Sequence, residues 1–508
     1  MKNNIQLIRK APWHLFLFSI YPILELWLLN IEQISADVIF RPLILALVGA
    51  LLIWGAAFLL LKDGMRAAII STIWIVAFFS YGHIYLMTKG FQIFNISIVR
   101  HRTLLIVWVI LSLASFLWIK KTRRIGSIKS ILNLISLLLV GLFFFELLYF
   151  QVAQLEISPH RSNPSNMTVT GGRSSMPDIY YIILDGYGRS DVLAQKMDYD
   201  NSAFISELES MGFYIARYSQ SNYAHTTLSL ASSLNFEYLD ALGVIQEPNS
   251  TNRTEVYKVL KQNALRDFLE KQGYKTVAFA TGFNWSQFTN SDYYLHPQPG
   301  ARLNEFEYLL LQTTLFRVLL DSRALTLTDA TSEQFRERTS FAFEKLKTLP
   351  SLKGPKFVFA HIIIPHPPFV FGPNGEAINT NYKPEDEFSL EEYNLGYKNQ
   401  VTYANTQILD VVRVLIDESE TPPIIIIQGD HGPGHQNSRE VRMKILNAYY
   451  LPGHPEVLYD TISPINSFRI ILNTYFDQSL PILEDKSYFS RYKSPYVFEE
   501  IENPYINR

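Results

Sequence analysis

The chain has 508 residues, 48% of them hydrophobic and 18% charged, and a formal charge of −2. It contains no cysteine, which excludes a disulfide framework, a thiolate zinc site and a cysteine nucleophile. The length gives room for about two or three domains.

The apolar excess lies mostly in the first 151 residues. Hydrophobic runs predict helices at about 11–30, 43–61, 67–87, 104–119 and 130–151. Each approaches the roughly 20 residues that cross a hydrocarbon core. The first run follows Lys2, Arg9 and Lys10 but has no small-residue cleavage site, so it is expected to be an anchor rather than a cleaved signal. Residues 1–151 are therefore expected to form a five-helix transmembrane domain.

Basic residues set its expected orientation. With the N-terminus inside, Lys2, Arg9, Lys10, Lys62, Arg66, Lys120, Lys121, Arg123, Arg124 and Lys129 fall on the inner side. Arg41, Lys89, Arg100 and Arg102 fall outside. This asymmetry predicts a cytoplasmic N-terminus and an extracytoplasmic remainder, at a plasma or inner membrane. Three ionisable residues, Glu25, His83 and Glu146, sit toward the outer ends of their runs, where they could meet a lipid head group or pair at the interface. Residues 1–150 carry a balance of +9, which leaves −11 for the rest. An acidic outer part argues against a nucleic-acid partner.

Residues 152–177, polar and containing Pro, Gly and Ser, are expected to be a linker. From 178 to 508 the pattern is that of one domain. "DIYYIILDGYGR", "KFVFAHIIIPHPPF" and "PPIIIIQGDHGPGH" each run from a β-branched stretch into a loop of Asp, His, Gly or Pro. Helical patterns at 195–211, 254–272, 330–348 and 391–417 lie between them. Buried strands alternating with helices predict an α/β domain with a largely parallel sheet, which binds ligands at the carboxyl ends of its strands. Asp185, His361, His366, Asp430 and His431 all fall at or just past such ends.

Asp430 and His431 are adjacent, follow a buried strand and precede Gly432 and Gly434. A carboxylate and an imidazole suit a divalent cation of the zinc or manganese kind more than magnesium. Asp185 can supply a further ligand and Thr226 a fourth. Thr226 stands in "NYAHTTLSLASS", where an extended chain turns into a predicted helix. A hydroxyl there can cap the helix. It can also be a nucleophile, because a dication lowers its pKa. Metal ligands on two other strands favour the nucleophile. Spacing alone leaves Thr227 open as a substitute.

These residues, in this order, resemble the alkaline phosphatase superfamily, specifically the membrane-anchored sulfatase-like group that includes lipoteichoic acid synthases and lipid phosphoethanolamine transferases. The resemblance rests on Asp185 at a strand end, Thr226 and Ser229, the "H…PHPP" strand end with His361 and His366, "GDHG" at 429–432, and the helix "YNLGYKNQVTYANTQILDVV". It implies a transmembrane domain joined to an alkaline-phosphatase-like (sulfatase-like) α/β domain. It further implies a Thr esterified in passing by a phosphoryl group, and one firmly bound divalent metal on Asp185, Thr226, Asp430 and His431. His361, His366 and His435 would surround the substrate, protonating the leaving oxygen, holding the anionic group, or ligating a second metal.

The expected activity is thus phosphoryl-group transfer of the phosphoethanolamine or glycerophosphate type. The donor is a membrane lipid or cell-envelope molecule, and the acceptor a glycan, lipid or polymer. Sulfatases proper convert a Cys or Ser in a C/S-x-P-x-R core to formylglycine. Residues 226–230, "TTLSL", contain neither Pro nor Arg. A phosphodiesterase or sulfuric-ester hydrolase of the same fold is the alternative reading. A catalytically inactive membrane scaffold is the alternative from another class.

Overall fold

The computed structural model describes residues 11–506 apart from 32–33, 35, 89–91, 94–95, 98–99, 157–175, 298–302, 323–327, 379–387 and 435–438. Most of the expected linker lies outside the described residues. The chain divides into two compact units, one of residues 1–156 with 301–331, the other of 157–300 with 332–508. The stretch 178–508, expected to be continuous, is thus interrupted by a segment that belongs with the N-terminal helices.

The first unit holds helices α1 (Trp13–Leu28), α2 (Phe40–Leu61), α3 (Gly64–Thr88), α4 (His101–Lys121) and α5 (Ile125–Glu156). Among the described residues, Ala36–Leu61, Gly64–Thr88, His101–Lys121 and Ile125–Val152 are long and apolar enough to cross a membrane. At 16 residues α1 is shorter; it rises only ~24 Å at ~1.5 Å per residue, against a core of ~30 Å. Four helices of spanning length therefore stand where five were expected. Lys62 ends α2 in the left-handed conformation, and the Asp63 carboxylate then accepts hydrogen bonds from Met65 and Arg66 N–H to open α3. The inserted segment contributes the helices Glu305–Thr313 and Arg317–Asp321. Leu315 N–H donates to the Phe78 carbonyl at 2.9 Å. A Cβ at Gly82 would lie 2.1 Å from the Gln312 carbonyl, so this contact between α3 and the insert needs glycine.

The second unit is built on a seven-stranded sheet. Its strands are β1 (Ile179–Leu184), β2 (Tyr214–Ile215), β3 (Lys275–Phe279), β4 (Tyr293–Leu295), β5 (Lys356–Ile362), β6 (Ile424–Gly429) and β7 (Asn447–Tyr450). In space the order is β2-β7-β6-β1-β5-β3-β4. Five strands are parallel, and only β7 and β2 run antiparallel to their neighbours. The largely parallel sheet is as the β-branched runs predict.

Side-chain alternation explains why those runs are apolar throughout. Tyr180, Ile182 and Leu184 enter one core with Tyr397, Val401 and Ile408 of the long helix Leu390–Glu418. Ile179, Tyr181 and Ile183 enter the other with Leu228 and Leu234 of α6 (Thr226–Asn235) and Phe468 of the helix Pro464–Tyr475. Ile424 to Ile427 divide between the two cores in the same way. All four are fully buried, each contributing about 1.5–3 kcal/mol of apolar burial.

Two predicted helices are split. The 195–211 pattern breaks into Ser190–Met197 and Ser202–Ser210, where Asp198 turns left-handed at φ 49°. The 254–272 pattern breaks into Thr254–Lys261 and Ala264–Lys271, because the Asn263 side chain caps the second piece by accepting from Arg266 N–H.

Candidate active site

Parallel register delivers the acids. Leu184 of β1 pairs with Gly429 of β6, so Asp185 and Asp430 leave adjacent strands at the same level. Ile183 pairs with His361 of β5, which puts His361 on the face that Asp185 shares. That face is the one α6 covers.

Two glycines make the close approach feasible. Gly186, at φ 74°, turns the chain after Asp185, and its N–H donates to Asp430 Oδ1 at 2.9 Å. A Cβ at Gly429 would lie 2.3 Å from the Tyr187 carbonyl.

Asp185, His361 and Asp430 each offer a ligand atom, all within 4.8 Å of one another, and all three are buried. His361 Nε2 lies 3.1 Å from Asp185 Oδ2. His431 Nε2 lies 3.6 Å from Asp185 Oδ1 and 3.5 Å from Asp430 Oδ2. His431 Nδ1 lies 2.9 Å from the Gly432 carbonyl. That carbonyl can only accept, so Nδ1 carries the proton and the Nε2 lone pair faces the carboxylates.

Thr226 Oγ1 is 3.2 Å from His431 Nε2. Thr226 is the first residue of α6, and the capping position before it belongs to His225, which makes no side-chain cap. The capping reading of this Thr therefore has no support. Thr227 and Ser229 are buried, whereas Thr226 is partly exposed. The approach to α6 is held rigidly. The Asn222 side chain donates to Ser463 Oγ and the Lys486 carbonyl, and accepts from Ile465 N–H.

Burial favours the neutral form of Asp185, but the neighbouring His366 and the hydrogen bond with His361 outweigh it and hold this carboxyl below the usual range. Asp430 moves the other way, raised first by burial and then by the Asp185 charge. Burial, then the Arg442 charge, lowers His431 to about 3. Two buried carboxylates side by side need a compensating positive charge. Asp185 Oδ1 and Asp430 Oδ2 are buried without a hydrogen-bond partner. The donor set of carboxylates, a neutral imidazole lone pair and a hydroxyl fits a divalent cation.

His366 is adjacent: its ring centroid is 6.3 Å from that of His431, and its backbone N–H donates to the Asp185 carbonyl at 3.0 Å. His435 lies outside the described residues. Arg442, on the short helix Arg439–Met443, carries no signal in the sequence motifs. Its Nη2 donates to His431 Nε2 at 3.1 Å, its Nε to the Ala224 carbonyl at 3.0 Å, and its Nη1 to the Gly432 carbonyl at 3.4 Å. It ties the loop after β6 to the start of α6. Arg442→Lys cannot span the Ala224 and Gly432 carbonyls together, so kcat is expected to fall about tenfold to a hundredfold, by the ~1.4 kcal/mol per factor of ten that misplacement costs. An unchanged steady-state rate would remove Arg442 from this role.

His225 gives a pH prediction. Burial, then Arg442, lowers its pKa from 6.5 to about 3, and its Nε2 is buried without a partner. The folded state thus keeps His225 neutral while the unfolded chain takes up a proton below pH 6.5. Its contribution to stability is complete above 6.5 and is lost as pH falls toward 3, by about 3 kcal/mol with allowance for partial exposure. The thermal midpoint of the metal-free protein should drop more steeply over this window than that of His225→Gln. Parallel slopes would contradict the assignment.

The sulfatase family model matches residues 177–461. No curated protein matches the chain. Among solved structures, the chain is similar to the C-terminal periplasmic domain of EptC from Escherichia coli. The identity is 11% and the TM-score 0.43, over 68% of this chain and 99% of that one. It is also similar to the C-terminal periplasmic domain of phosphoethanolamine transferase EptC from Campylobacter jejuni, at 11% identity and TM-score 0.38, over 61% and 92%. A third is the integral membrane protein lipooligosaccharide phosphoethanolamine transferase A from Neisseria meningitidis, at 11% identity and TM-score 0.37, over 92% and 95%.

Proposed function

The chain belongs to the sulfatase family, and from that premise we propose that it transfers a phosphoryl-linked group from a membrane-lipid or cell-envelope donor through Thr226. It is an enzyme of the alkaline phosphatase superfamily. The observation that carries the proposal is the 3.2 Å approach of Thr226 Oγ1 to His431 Nε2, at a partly exposed position beside two buried carboxylates.

Asp185, Thr226, Asp430 and His431 would hold one divalent metal ion, zinc or manganese, which would lower the pKa of the Thr226 hydroxyl and offset negative charge on the phosphoryl oxygens. The amides of the first turn of α6 add positive potential where that charge builds. In the proposed first half-reaction, Thr226 would enter with its hydroxyl proton already lost to solvent; a bond forms between its Oγ and phosphorus, and the bond from phosphorus to the leaving oxygen breaks. His366 gives that oxygen its proton, with His361 holding Asp185 in place. In the second half, an acceptor hydroxyl attacks phosphorus, returns the proton to His366 and frees Thr226. A glycan, lipid or polymer hydroxyl gives transfer; water gives the hydrolase alternative. Residues 226–230 lack the sulfatase oxidation core, which supports phosphorus rather than sulfur as the centre attacked.

The proposed topology keeps the N-terminus cytoplasmic and the catalytic residues extracytoplasmic, with α1 as a fifth crossing at modest mismatch cost. It rests on the Lys/Arg asymmetry of the loops. In proteoliposomes, the full chain should release or transfer phospholipid head groups and cleave an aryl phosphodiester, while leaving an aryl sulfate intact. Turnover of the sulfate alone would favour the sulfuric-ester hydrolase. No turnover of either by metal-replete protein would favour the inactive scaffold.

A further inference from the structure

The first unit contains a cavity of about 500 Å³, within the ~300–1,000 Å³ usual for ligand pockets. One wall is a single face of α2, formed by Pro42, Leu45, Ala46, Gly49, Ala50 and Ile53. From Pro42 to Ile53 the helix rises about 16 Å at ~1.5 Å per residue, close to half of a ~30 Å hydrocarbon core. Trp74 and Phe78 of α3 and Leu310 of the inserted helix complete the enclosure. The Ser19 and Thr314 hydroxyls on the wall donate to the carbonyls of Phe16 and Leu311.

The two ends differ. At the Pro42 end, Glu307 lines the cavity and pairs with Arg41; the Glu307 side chain is 5% exposed and that of Arg41 41%. In the deeper part, Ala50, Ile53 and Ile75 line it with hydrocarbon.

We propose that this cavity holds one acyl chain of a membrane phospholipid. The chain would run along α2 from Pro42 to Ile53, with the phosphate near Arg41. The depth matches one leaflet, the wall is apolar over that depth, and the half-exposed Arg41, paired with Glu307, marks its polar mouth. The proposal does not depend on the chemistry at Thr226.

Gly49 offers the test, because a Cβ there meets nothing within 4 Å and a larger side chain grows into the cavity. Gly55, on the same helix, is equally open but is not part of the wall. The full chain, purified in detergent and titrated with a dioleoyl phospholipid, is followed by native mass spectrometry. Wild type and Gly55→Phe should retain one lipid per chain. Gly49→Phe should bind at least about tenfold more weakly, and wild type should bind a dihexanoyl phospholipid more weakly than the dioleoyl one. Equal retention by all three proteins, or no dependence on chain length, would overturn the proposal. A wild-type dimer that Gly49→Phe dissociates would also overturn it, by making the cavity a protein interface. Retention is read without turnover, so a silent active site does not affect the result.

Discussion

Thr226→Ala should lower phosphodiester turnover by about a thousandfold or more, the scale seen when a nucleophile is removed. The loss should appear in kcat, because the nucleophile acts only once substrate is bound. Three features make the effect this large. Thr226 Oγ1 is 3.2 Å from the lone-pair nitrogen of His431. It occupies the first turn of α6, where unpaired amides favour negative charge. It is partly exposed, so an ester can reach it. Thr227→Ala should do far less, because Thr227 is buried behind it. Thr226→Ser keeps the oxygen and should recover much of the rate. A Thr226→Ala enzyme that retains wild-type kcat while Thr227→Ala does not would move the nucleophile one residue along.

Asp430→Asn should be the second large loss. Activity should again fall by about a thousandfold, and bound metal after purification should drop well below one ion per chain. Asp430 is fully buried, its Oδ2 has no partner, and burial together with the Asp185 charge raises its pKa. This carboxylate is under electrostatic stress that a cation relieves. Chelation should therefore lower the thermal midpoint of wild type, since metal binds only the folded form. The variant should show no such drop, and metal-free Asp430→Asn should melt no lower than metal-free wild type. A variant that still binds one metal ion tightly would refute the assigned ligand.

The convergence of Asp185, His361 and Asp430 in the candidate site was legible because its signals are local. The runs before Asp185, His361 and Asp430 announce buried strands, and parallel pairing places their ends together without further information. The glycines in "LDGYG" and "GDHG" mark where backbone must pass close to backbone. Arg442 was not legible, because its role comes from the Ala224 and Gly432 carbonyls, which only the folded loop assembles. The split helices were missed because apolar spacing continues across Asp198 and Asn263 while the backbone does not. The placement of 301–331 with the N-terminal helices depends on contacts such as Leu315 N–H to the Phe78 carbonyl, which no periodicity reveals. The first apolar run fell short as a helix because apolar composition continues beyond the residues that adopt helical geometry.

The covalent step is the most exposed part of the proposal. Rapid acid quench of the metal-replete chain with a phospholipid donor, followed by peptide mass spectrometry, should find the phosphoryl-linked group on the peptide containing Thr226. The modification should be absent from Thr226→Ala. An adduct on any other residue, or none while turnover proceeds, would contradict the assignment of this hydroxyl.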